Sequence, residues 1–386
     1  MADRYPVLLS RSVALLAALS LLIGTVMIPV SINAADREPD YFALFDACPA
    51  DVIGDAGFDD VADLHPNAGD IDCIFYYGIT KGTSSTTYSP DRPVIREHMA
   101  LFLVRLAKLV GIDVPSEDDT PFQDIADLDP LSQEAISQIY QLGITIGASA
   151  TTYAPARNVS RGEMALFLQR LMDKMVPVTD GRTAFGYTPD DVNDNDGRFE
   201  VRAPFQDLAR VSHDVFDAVT HLYELGVASG VSDLAYGPGA DMSRSAMAEF
   251  MAAILDHSNL RPRGLTVQVT PTRGPDDFEI VTMASMRGQD FEPIEDVVVD
   301  WFYTDDPNGG LRADGTCNQA KILGDGDCVW DDDEDETTDL DGNLFGDFDA
   351  TPGATMSVYA WVGRRDGERF DCENKEGAFR GSQVIA

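Results

Sequence analysis

The chain has 386 residues, 44% of them hydrophobic and 24% charged, which is long enough for two or three domains with separate cores. Acidic residues outnumber basic ones by 66 to 28, so the formal net charge is −38. This excess argues against a nucleic-acid partner, which would need a broad basic face, and it fits an exported protein kept soluble by its charge.

The N-terminus has the pattern of an export signal. Arg4 and Arg11 precede an apolar run at 12–32, and the small residues Ala34 and Ala35 follow it. A positive flank, an apolar stretch and a small-residue exit predict a cleaved signal peptide. The run is also long enough to span a bilayer, so an uncleaved anchor is the alternative. After cleavage, we expect a secreted chain with no transmembrane segment.

Three segments of the chain repeat one pattern. Each has a Phe-x-Asp start, a Gly-Ile or Gly-Val step, a Tyr-x-Pro loop and a Met-Ala pair. The interval from the Gly of the step to a later Arg is 18 residues in every segment: Gly78 to Arg96, Gly143 to Arg161, and Gly226 to Arg244. Chance does not give that register together with the shared marks, so the sequence predicts three tandem copies of one unit.

Each copy is predicted to form a helix, a loop and a second, longer helix. In the second copy a short apolar stripe at 135–140 ends at Gly143, a natural C-cap, and the longer helix starts at Ser160. One helix pair cannot bury its apolar face alone, so the three copies are expected to share a core. The core positions of the longer helices follow helical spacing: Met99, Ala100, Leu103, Leu106, Ala107 and Val110; Met164, Ala165, Leu168, Leu171, Met172 and Met175; Met247, Ala248, Met251, Ile254 and Leu255.

These marks resemble the S-layer homology (SLH) domain family over roughly Phe58 to Leu255. The family's Thr-Arg-Ala-Glu-like helix start is represented at 95–98, 160–163 and 243–246. The resemblance implies a pseudo-threefold, mainly α-helical arrangement of three units in one chain. It also implies a non-catalytic anchor at the cell wall or cell surface (S-layer). Such an anchor binds secondary cell-wall polysaccharide or a peptidoglycan-linked glycan, often pyruvylated, in grooves between the units.

The predicted fold class is therefore α + β and multidomain, a helical SLH triplet followed by a small all-β sandwich. Strand-like segments at 265–270, 297–303 and 356–362, separated by turn residues, predict the sandwich, which resembles Ig-like surface modules. The predicted boundaries are a signal peptide at 1–35, repeats at 36–112, 113–176 and 204–259, an inserted acidic loop at 177–203, and the β domain at 260–386. Its aromatic residues are expected to fill the strand core, with a sugar-binding platform as the alternative: Trp301, Tyr359 and Trp361.

The arginine at the start of each longer helix is the candidate binding residue. Helix N-termini disfavour cations, so an arginine at this position in all three copies (Arg96, Arg161 and Arg244) suggests an anionic ligand. Free amides and a guanidinium fork suit a carboxylate or a phosphate, in agreement with the acidic sugar that the resemblance implies. The alternative is an arginine that only pairs with an internal acid, such as the Asp of the Phe-x-Asp start.

The three helix starts differ in their caps. Ser160 and Glu163 are predicted to form a full capping box. Ser243 has Ala246 in place of the glutamate, and Ile95 cannot cap at all. We therefore predict that the second copy is the most competent site and the first the weakest. Glycines of the facing loops complete the candidate polymer-binding set, although turn geometry is their expected first role: Gly82, Gly147 and Gly230.

Five cysteines in an exported chain are expected to be mostly paired. Cys48 and Cys73 flank the start of the first copy and are predicted to form one disulfide. Cys317 and Cys328 bracket a turn-rich segment and are the favoured second pair, which leaves Cys372 over. A zinc site is not expected, because no pair of cysteines has CxxC spacing or lies beside a suitable histidine.

No cofactor is predicted, and calcium at two acidic loops is the alternative. Residues 193–197 and 339–343 place oxygen donors at alternate positions. Neither loop fits the helix–loop–helix calcium pattern, because Val192 and Thr337 hold the first-ligand positions and the final glutamate is missing.

An enzyme is not predicted, because the sequence has no nucleophile elbow, P-loop or zinc helix. Paired carboxylates are uninformative among 66 acidic residues. Two alternatives to a pure anchor stay open. One is a cell-surface hydrolase that uses the repeats only for attachment, and the other is an adhesin whose β domain binds a partner.

Overall fold

A computed structural model describes residues 43, 45–116, 119–175, 203–273, 278–304, 329–330, 337–350, 357–362 and 383–385. The predicted signal peptide, almost all of the inserted loop, the acidic loop at 193–197 and Cys317, Cys328 and Cys372 lie outside the described residues. The side chains of Trp301, Tyr359 and Trp361 also lie outside the described part. Within it, no helix is long and apolar enough to cross a membrane.

The repeats form two α-helices in each copy. The helices are α1 Ala68–Tyr76, α2 Arg96–Leu109, α3 Pro130–Gln141, α4 Arg161–Met172, α5 His213–Glu224 and α6 Arg244–Asp256, with a 3₁₀ turn at Gln206–Arg210. The second helix is clearly longer only in the first copy, at 14 residues against 9. In the second copy both helices have 12 residues. Here α3 begins earlier than its apolar stripe predicts, because Asp129 caps the amides of Leu131 and Ser132.

The predicted core stripes are confirmed. Every predicted core position on α2, α4 and α6 is buried, as are Val110 and Met175 beyond the ends of α2 and α4. Gly143 follows α3 with φ of +71°, a left-handed conformation that glycine adopts without strain. The apolar spacing therefore identified the inward face of each helix correctly.

Helices from neighbouring copies pack against one another in a closed order. Helix α2 packs on α3, α4 packs on α5, and α6 packs on α1. One continuous cluster of buried apolar side chains extends from Ala47 to Leu260 and includes residues of all three copies. Among the described residues no copy has a separate core, as expected for units that cannot bury an apolar face alone.

Three backbone hydrogen bonds at the centre of the repeats also close a ring. The amide of Val94 donates to the carbonyl of Met242 at 2.9 Å, and Val159 donates to Val94 at 2.9 Å. Met242 completes the ring by donating to Val159 at 2.8 Å. Each of these residues lies just before the second helix of its copy, so the ring fixes the three helix starts relative to one another.

The C-terminal region contains two antiparallel sheets. Strands β1, β2 and β5 form one sheet in the order β1-β2-β5, and the other has the order β4-β3-β6-β7. Strand β1 also contacts β6 and β7. The bounds are β1 Gly264–Arg273, β2 Phe278–Arg287, β3 Val299–Thr304, β4 Val329–Trp330, β5 Asn343–Ala350, β6 Ser357–Val362 and β7 Gln383–Ile385.

The strand predictions at 265–270, 297–303 and 356–362 correspond to β1, β3 and β6, with shifts of a few residues at their ends. The long strands β2 and β5 were not predicted. The sequence pattern did not indicate strand β5, because Gly346 and three polar or acidic residues interrupt the alternation of its apolar residues. Its ladder hydrogen bonds to β2 supply the strand conformation that local propensity does not.

Two features connect the segment at 45–48 with the rest of the chain. The disulfide predicted between Cys48 and Cys73 is present. Beside it, Asp46 exchanges two hydrogen bonds of 2.7 Å with the side chain of Gln268 on β1. The segment therefore contacts both the first copy and the β region.

Candidate anion-binding junctions

Each candidate arginine reaches into the neighbouring copy. We call the contact between such an arginine and the Tyr-x-Pro loop of the next copy a junction, and we name it after its arginine. The Nε of each guanidinium donates to a tyrosine carbonyl: Arg96 to Tyr153 at 2.7 Å, Arg161 to Tyr236 at 2.8 Å, and Arg244 to Tyr88 at 2.6 Å. The last of these connects the third copy back to the first.

Each tyrosine also donates a hydrogen bond to the backbone of its arginine. The hydroxyls of Tyr88 and Tyr153 each donate to the carbonyl of their arginine at 2.8 Å, and that of Tyr236 does so at 3.0 Å. Each guanidinium also lies over two aromatic rings, that of its tyrosine and that of a phenylalanine on the next second helix. For Arg244 the rings are those of Tyr88 at 4.3 Å and Phe102 at 5.6 Å. Cation–π attraction and charged hydrogen bonds thus fasten copy to copy.

The arginines are buried, with exposed fractions of 2% for Arg96 and 5% for both Arg161 and Arg244. Burial lowers the pKa of Arg96 and Arg244, because a low-dielectric surrounding disfavours the charged form. A guanidinium still remains protonated at any physiological pH. Each junction therefore contains a fixed positive charge whose first role is structural.

The Asp of the Phe-x-Asp start, named from the sequence as one possible internal partner, has a different contact in the structure. Asp60 accepts hydrogen bonds from the amides of Tyr88 and Ser89, both at 2.7 Å. Asp124 and Asp207 accept the equivalent amides in the second and third copies. These carboxylates hold the Tyr-x-Pro loop in shape, because the loop exposes two successive amides that need an acceptor.

The loop glycines are explained by packing. A Cβ at Gly82 would lie 2.7 Å from Cε1 of Phe58 and 2.7 Å from the carbonyl oxygen of Thr87. A Cβ at Gly147 or Gly230 would likewise collide with the phenylalanine that begins its own copy, Phe122 or Phe205. The absence of a side chain thus lets the Phe-x-Asp start fold under the loop, as expected for a turn role.

The cap residues behave as predicted. Ser160 accepts from the amide of Glu163 at 3.2 Å and Glu163 accepts from the amide of Ser160 at 3.1 Å, so the capping box is present. Ser243 accepts from the amide of Ala246 at 3.2 Å. Ile95 makes no side-chain cap.

Glu163 has a second role at the Arg96 junction. Its carboxylate accepts from Nη1 of Arg96 at 3.1 Å and forms an ion pair with the exposed Arg157. Burial alone would raise the pKa of Glu163, but the hydrogen bonds and charges of these partners lower it below its ordinary value. An internal carboxylate therefore occupies the place beside Arg96 where an external anion would bind.

A cavity of about 280 Å³ lies at the Arg244 junction. Four cationic side chains line it, those of Lys81, Arg92, Arg105 and Arg244, and His98 lies among them. The rest of its lining is the loop at 82–83, the segment at 93–94 and two apolar residues of α2. Basic groups thus converge on one cleft of a strongly acidic molecule.

Sequence reasoning identified the three arginines but missed the side chains that distinguish their junctions. The repeat register could have identified these side chains. It is 65 residues between Arg96 and Arg161 and 83 residues between Arg161 and Arg244. It aligns Arg92 with Arg157 and with an alanine of the third copy. What the sequence did not show is that an arginine from one copy meets the loop of the next.

No group of His, Cys, Asp and Glu side chains in the described part of the chain is arranged to hold a metal ion. In the acidic loop at 339–343, Asp339 Oδ1 instead accepts from the amides of Asp341 and Asn343, both at 2.9 Å. This carboxylate closes a turn, as aspartate commonly does.

Comparison with known proteins agrees with the repeat pattern. The family model of the S-layer homology domain matches residues 57–100 and 121–165, which lie within the first and second copies. Such domains mediate attachment at the cell surface, so the match indicates cell-surface or S-layer association. An endoglucanase of Bacillus sp. (strain KSM-635) is 26% identical over 182 residues, which are 47% of this chain and 17% of the endoglucanase. The chain thus spans a small part of that relative.

Proposed function

We propose that the protein is a non-catalytic anchor that attaches to the bacterial cell envelope by binding an anionic wall polysaccharide at the junctions between three SLH units. The supporting observation is the set of guanidiniums held between copies, one of them beside an open basic cavity. Fixed cationic side chains recognise carboxylate or phosphate groups. The amides at the helix starts, which the sequence suggested as further donors, are not free, because those of Arg96, Arg161 and Arg244 donate to carbonyls of the next copy. Pyruvylated secondary wall polysaccharide and peptidoglycan-linked glycan both offer such groups.

This proposal includes residues 205–256 as a third SLH unit, related to the others by a pseudo-threefold axis. Its support is the repetition of contacts. Tyr236 and Arg161 exchange the same two hydrogen bonds as Tyr153 and Arg96 do. The amide of Arg161 also donates to the loop of the third copy, at the carbonyl of Ala240, as Arg96 does to Arg157 in the second.

We further propose that the region from residue 264 forms an Ig-like sandwich carried outward from the wall. Its two antiparallel sheets and the contacts of β1 with β6 and β7 favour this arrangement. Removal of the signal peptide and secretion, the second disulfide between Cys317 and Cys328, and the absence of a cofactor are part of the same proposal.

A binding experiment on the mature full-length chain tests the anchor function. Wall polysaccharide purified from the producing bacterium should pull down the chain, and chemical removal of its acidic substituents should abolish capture. Capture should weaken as salt increases, because ionic contacts in a solvent-open cleft are screened. Equal capture by the intact and the deacidified polysaccharide would contradict the proposal.

A surface hydrolase is the second candidate, and the similarity to an endoglucanase supports it. In that case the full-length chain should release reducing sugar from carboxymethylcellulose. The anchor proposal expects no release above a heat-denatured control, since the similarity covers only 17% of the endoglucanase.

A further inference from the structure

The three junctions differ sharply in charge, although their central arginines are equivalent. Four positions around each arginine can be compared through the repeat register. The Arg244 junction has Lys81, Arg92, His98 and Arg105 at these positions. The Arg96 junction has Ile146, Arg157, Glu163 and Arg170, and the Arg161 junction has Ser229, Ala240, Ala246 and Ala253.

None of the four positions at the Arg161 junction has a cationic side chain, so Arg161 itself is the one cation of this set. Its guanidinium also donates from Nη2 to the carbonyl of Ser229 at 2.5 Å, which uses a second donor internally. Alanines replace both flanking arginines, so little long-range attraction is left for an anion. The helix caps rank the second copy, which contains Arg161, as the most competent site, but that ranking treats each copy by itself. Each junction instead combines an arginine of one copy with the flanking residues of the next.

The Arg96 junction has flanking arginines, but an internal carboxylate offsets part of their charge. Glu163 is hydrogen-bonded or ion-paired with both Arg96 and Arg157. An external anion would have to displace this carboxylate and leave it partly buried without its partners. That exchange costs about as much as the new contact gains, since both are carboxylate–guanidinium pairs.

The Arg244 junction has the flanking cations and lacks the internal acid. The residue at the place of Glu163 is His98, and no Asp or Glu is among the described residues that line the cavity. The described hydrogen bonds of the guanidinium use Nε and Nη2, to the Tyr88 carbonyl and the Thr80 hydroxyl. In Arg96 the remaining Nη1 is the atom that meets Glu163.

We propose that the Arg244 junction is the dominant anion site of this protein and that its affinity for an acidic sugar increases as the pH falls, because His98 takes up a proton when the anion binds. The inference rests on the proposed function and names the one junction that performs it. The cavity, about 280 Å³, accommodates a sugar residue with a carboxylate or phosphate substituent, but not a long segment of polymer.

The groups around His98 explain the pH dependence. The cationic groups facing it are Arg244 from α6 and Arg92 from the loop, with Lys81 and Arg105 also on the cavity. Partial burial lowers the pKa of His98, and both Arg244 and Arg92 lower it further, against the opposing effect of Glu97. A bound anion offsets the two positive charges and raises this pKa again, so proton uptake and anion binding favour each other.

The test compares single variants of the full-length chain by calorimetric titration with the purified wall polysaccharide. Arg92→Ala should lower the affinity at least tenfold at low salt. Arg157→Ala, the matched change at the Arg96 junction, should lower it less than twofold. Both side chains are exposed, so the fold should survive, and an unchanged melting temperature is the check. Equal losses in the two variants would overturn the assignment.

The pH arm uses His98→Gln, which retains size and polarity but cannot gain charge. The affinity of the unmodified chain should increase several-fold from pH 7.5 to pH 5.5, whereas that of the variant should stay constant. The same slope in both chains would refute the role of His98.

Polysaccharide treated with mild acid loses ketal-linked carboxylates and polysaccharide treated with hydrofluoric acid loses phosphates, so the treatment that abolishes binding identifies the anion. If intact polysaccharide does not bind the unmodified chain at all, the proposed function itself fails, a result distinct from equal losses at Arg92 and Arg157.

Discussion

Tyr88 and Arg244 are 156 residues apart in the chain and exchange two hydrogen bonds, from the guanidinium to the Tyr88 carbonyl at 2.6 Å and from the tyrosine hydroxyl to the Arg244 carbonyl at 2.8 Å. The pair joins the last copy of the repeat to the first. Because the other two junctions join consecutive copies, this contact is the one that closes the set. A linear array of helix pairs would leave one apolar face uncovered at each end, and closure removes both.

Removing the hydroxyl of Tyr88 should therefore weaken the whole repeat region. We expect Tyr88→Phe to lower the free energy of unfolding by about 1 kcal/mol, the usual value of a buried hydrogen bond. Urea denaturation followed by circular dichroism measures it. Tyr140→Phe is the control, because the Tyr140 ring also packs on a phenylalanine while its hydroxyl makes no hydrogen bond with the described residues. A similar loss in both variants would show that the Tyr88 hydroxyl has no special role.

The helices and their buried faces followed from the sequence because they depend on local spacing. The apolar stripe of α4, the cap at Ser160 and the glycine after α3 are all readable from residues within the same helix or next to its end. The junctions were not readable in this way. The contact between Arg96 and Glu163 depends on packing between two copies. The residues are 67 positions apart, and nothing in the local sequence of either one specifies the other.

The role of the arginines shows the same limit. Their position at a helix start indicated that a negative or polar partner compensates the unfavourable dipole. The sequence suggested an external anion or the nearby aspartate. The structure supplies instead a carbonyl and two aromatic rings from the next copy, and for Arg96 a glutamate as well.

Comparing Gly147, in the loop, with Gly143 separates the effect of side-chain packing from that of backbone strain. Gly143 and Gly147 both have positive φ, of +71° and +81°. Alanine in a left-handed conformation costs about 1–2 kcal/mol at either site. At Gly143 a Cβ would meet nothing within 4 Å, whereas at Gly147 it would collide with the ring of Phe122 and lie 2.8 Å from the carbonyl of Ser149.

We therefore expect Gly147→Ala to lower the free energy of unfolding by about 1–3 kcal/mol more than Gly143→Ala does, the usual cost of overpacking. Thermal and urea unfolding of the two variants give the difference directly. Equal destabilisation would mean that Phe122 moves aside without cost and that the glycine is needed for its backbone conformation alone.

Asp256 gives the protein a pH dependence of known sign. It is the last residue of α6, and its carboxyl accepts from the amide of Ala47 at 2.7 Å. Burial, followed by the charge of Asp46, raises the pKa of Asp256 to about 7 from an ordinary 3.8. Between these values the folded state retains a proton that the unfolded state has lost, so this group makes the fold less stable as pH rises from about 4 to 7.

Asp256→Asn should remove that slope. The free energy of unfolding of the variant, relative to the unmodified chain, should increase from pH 4 to pH 7, by on the order of 4 kcal/mol for a shift of this size. The comparison must be a difference, because burial lowers the pKa of the adjacent His257 to about 4 and makes the fold more stable over much of the same range. Urea denaturation at four pH values measures it, and parallel curves for the two proteins would contradict the prediction.

The disulfide between Cys48 and Cys73 should stabilise the first copy by restricting the unfolded chain. Its two cysteines are 25 residues apart, and a loop of that size corresponds to about 3 kcal/mol of lost conformational entropy. Cys48→Ser should lower the unfolding free energy by about this amount.

We choose Cys48 because Cys73 is 1% exposed, so its replacement would add a packing cost to the loss of the crosslink. The control is the variant in the same reducing buffer as the unmodified chain, where any other disulfide is broken in both. The two reduced proteins should unfold at the same urea concentration. If the reduced chain is as stable as the oxidised one, the crosslink does not limit unfolding, and the Asp46 contacts with Gln268 hold the segment instead.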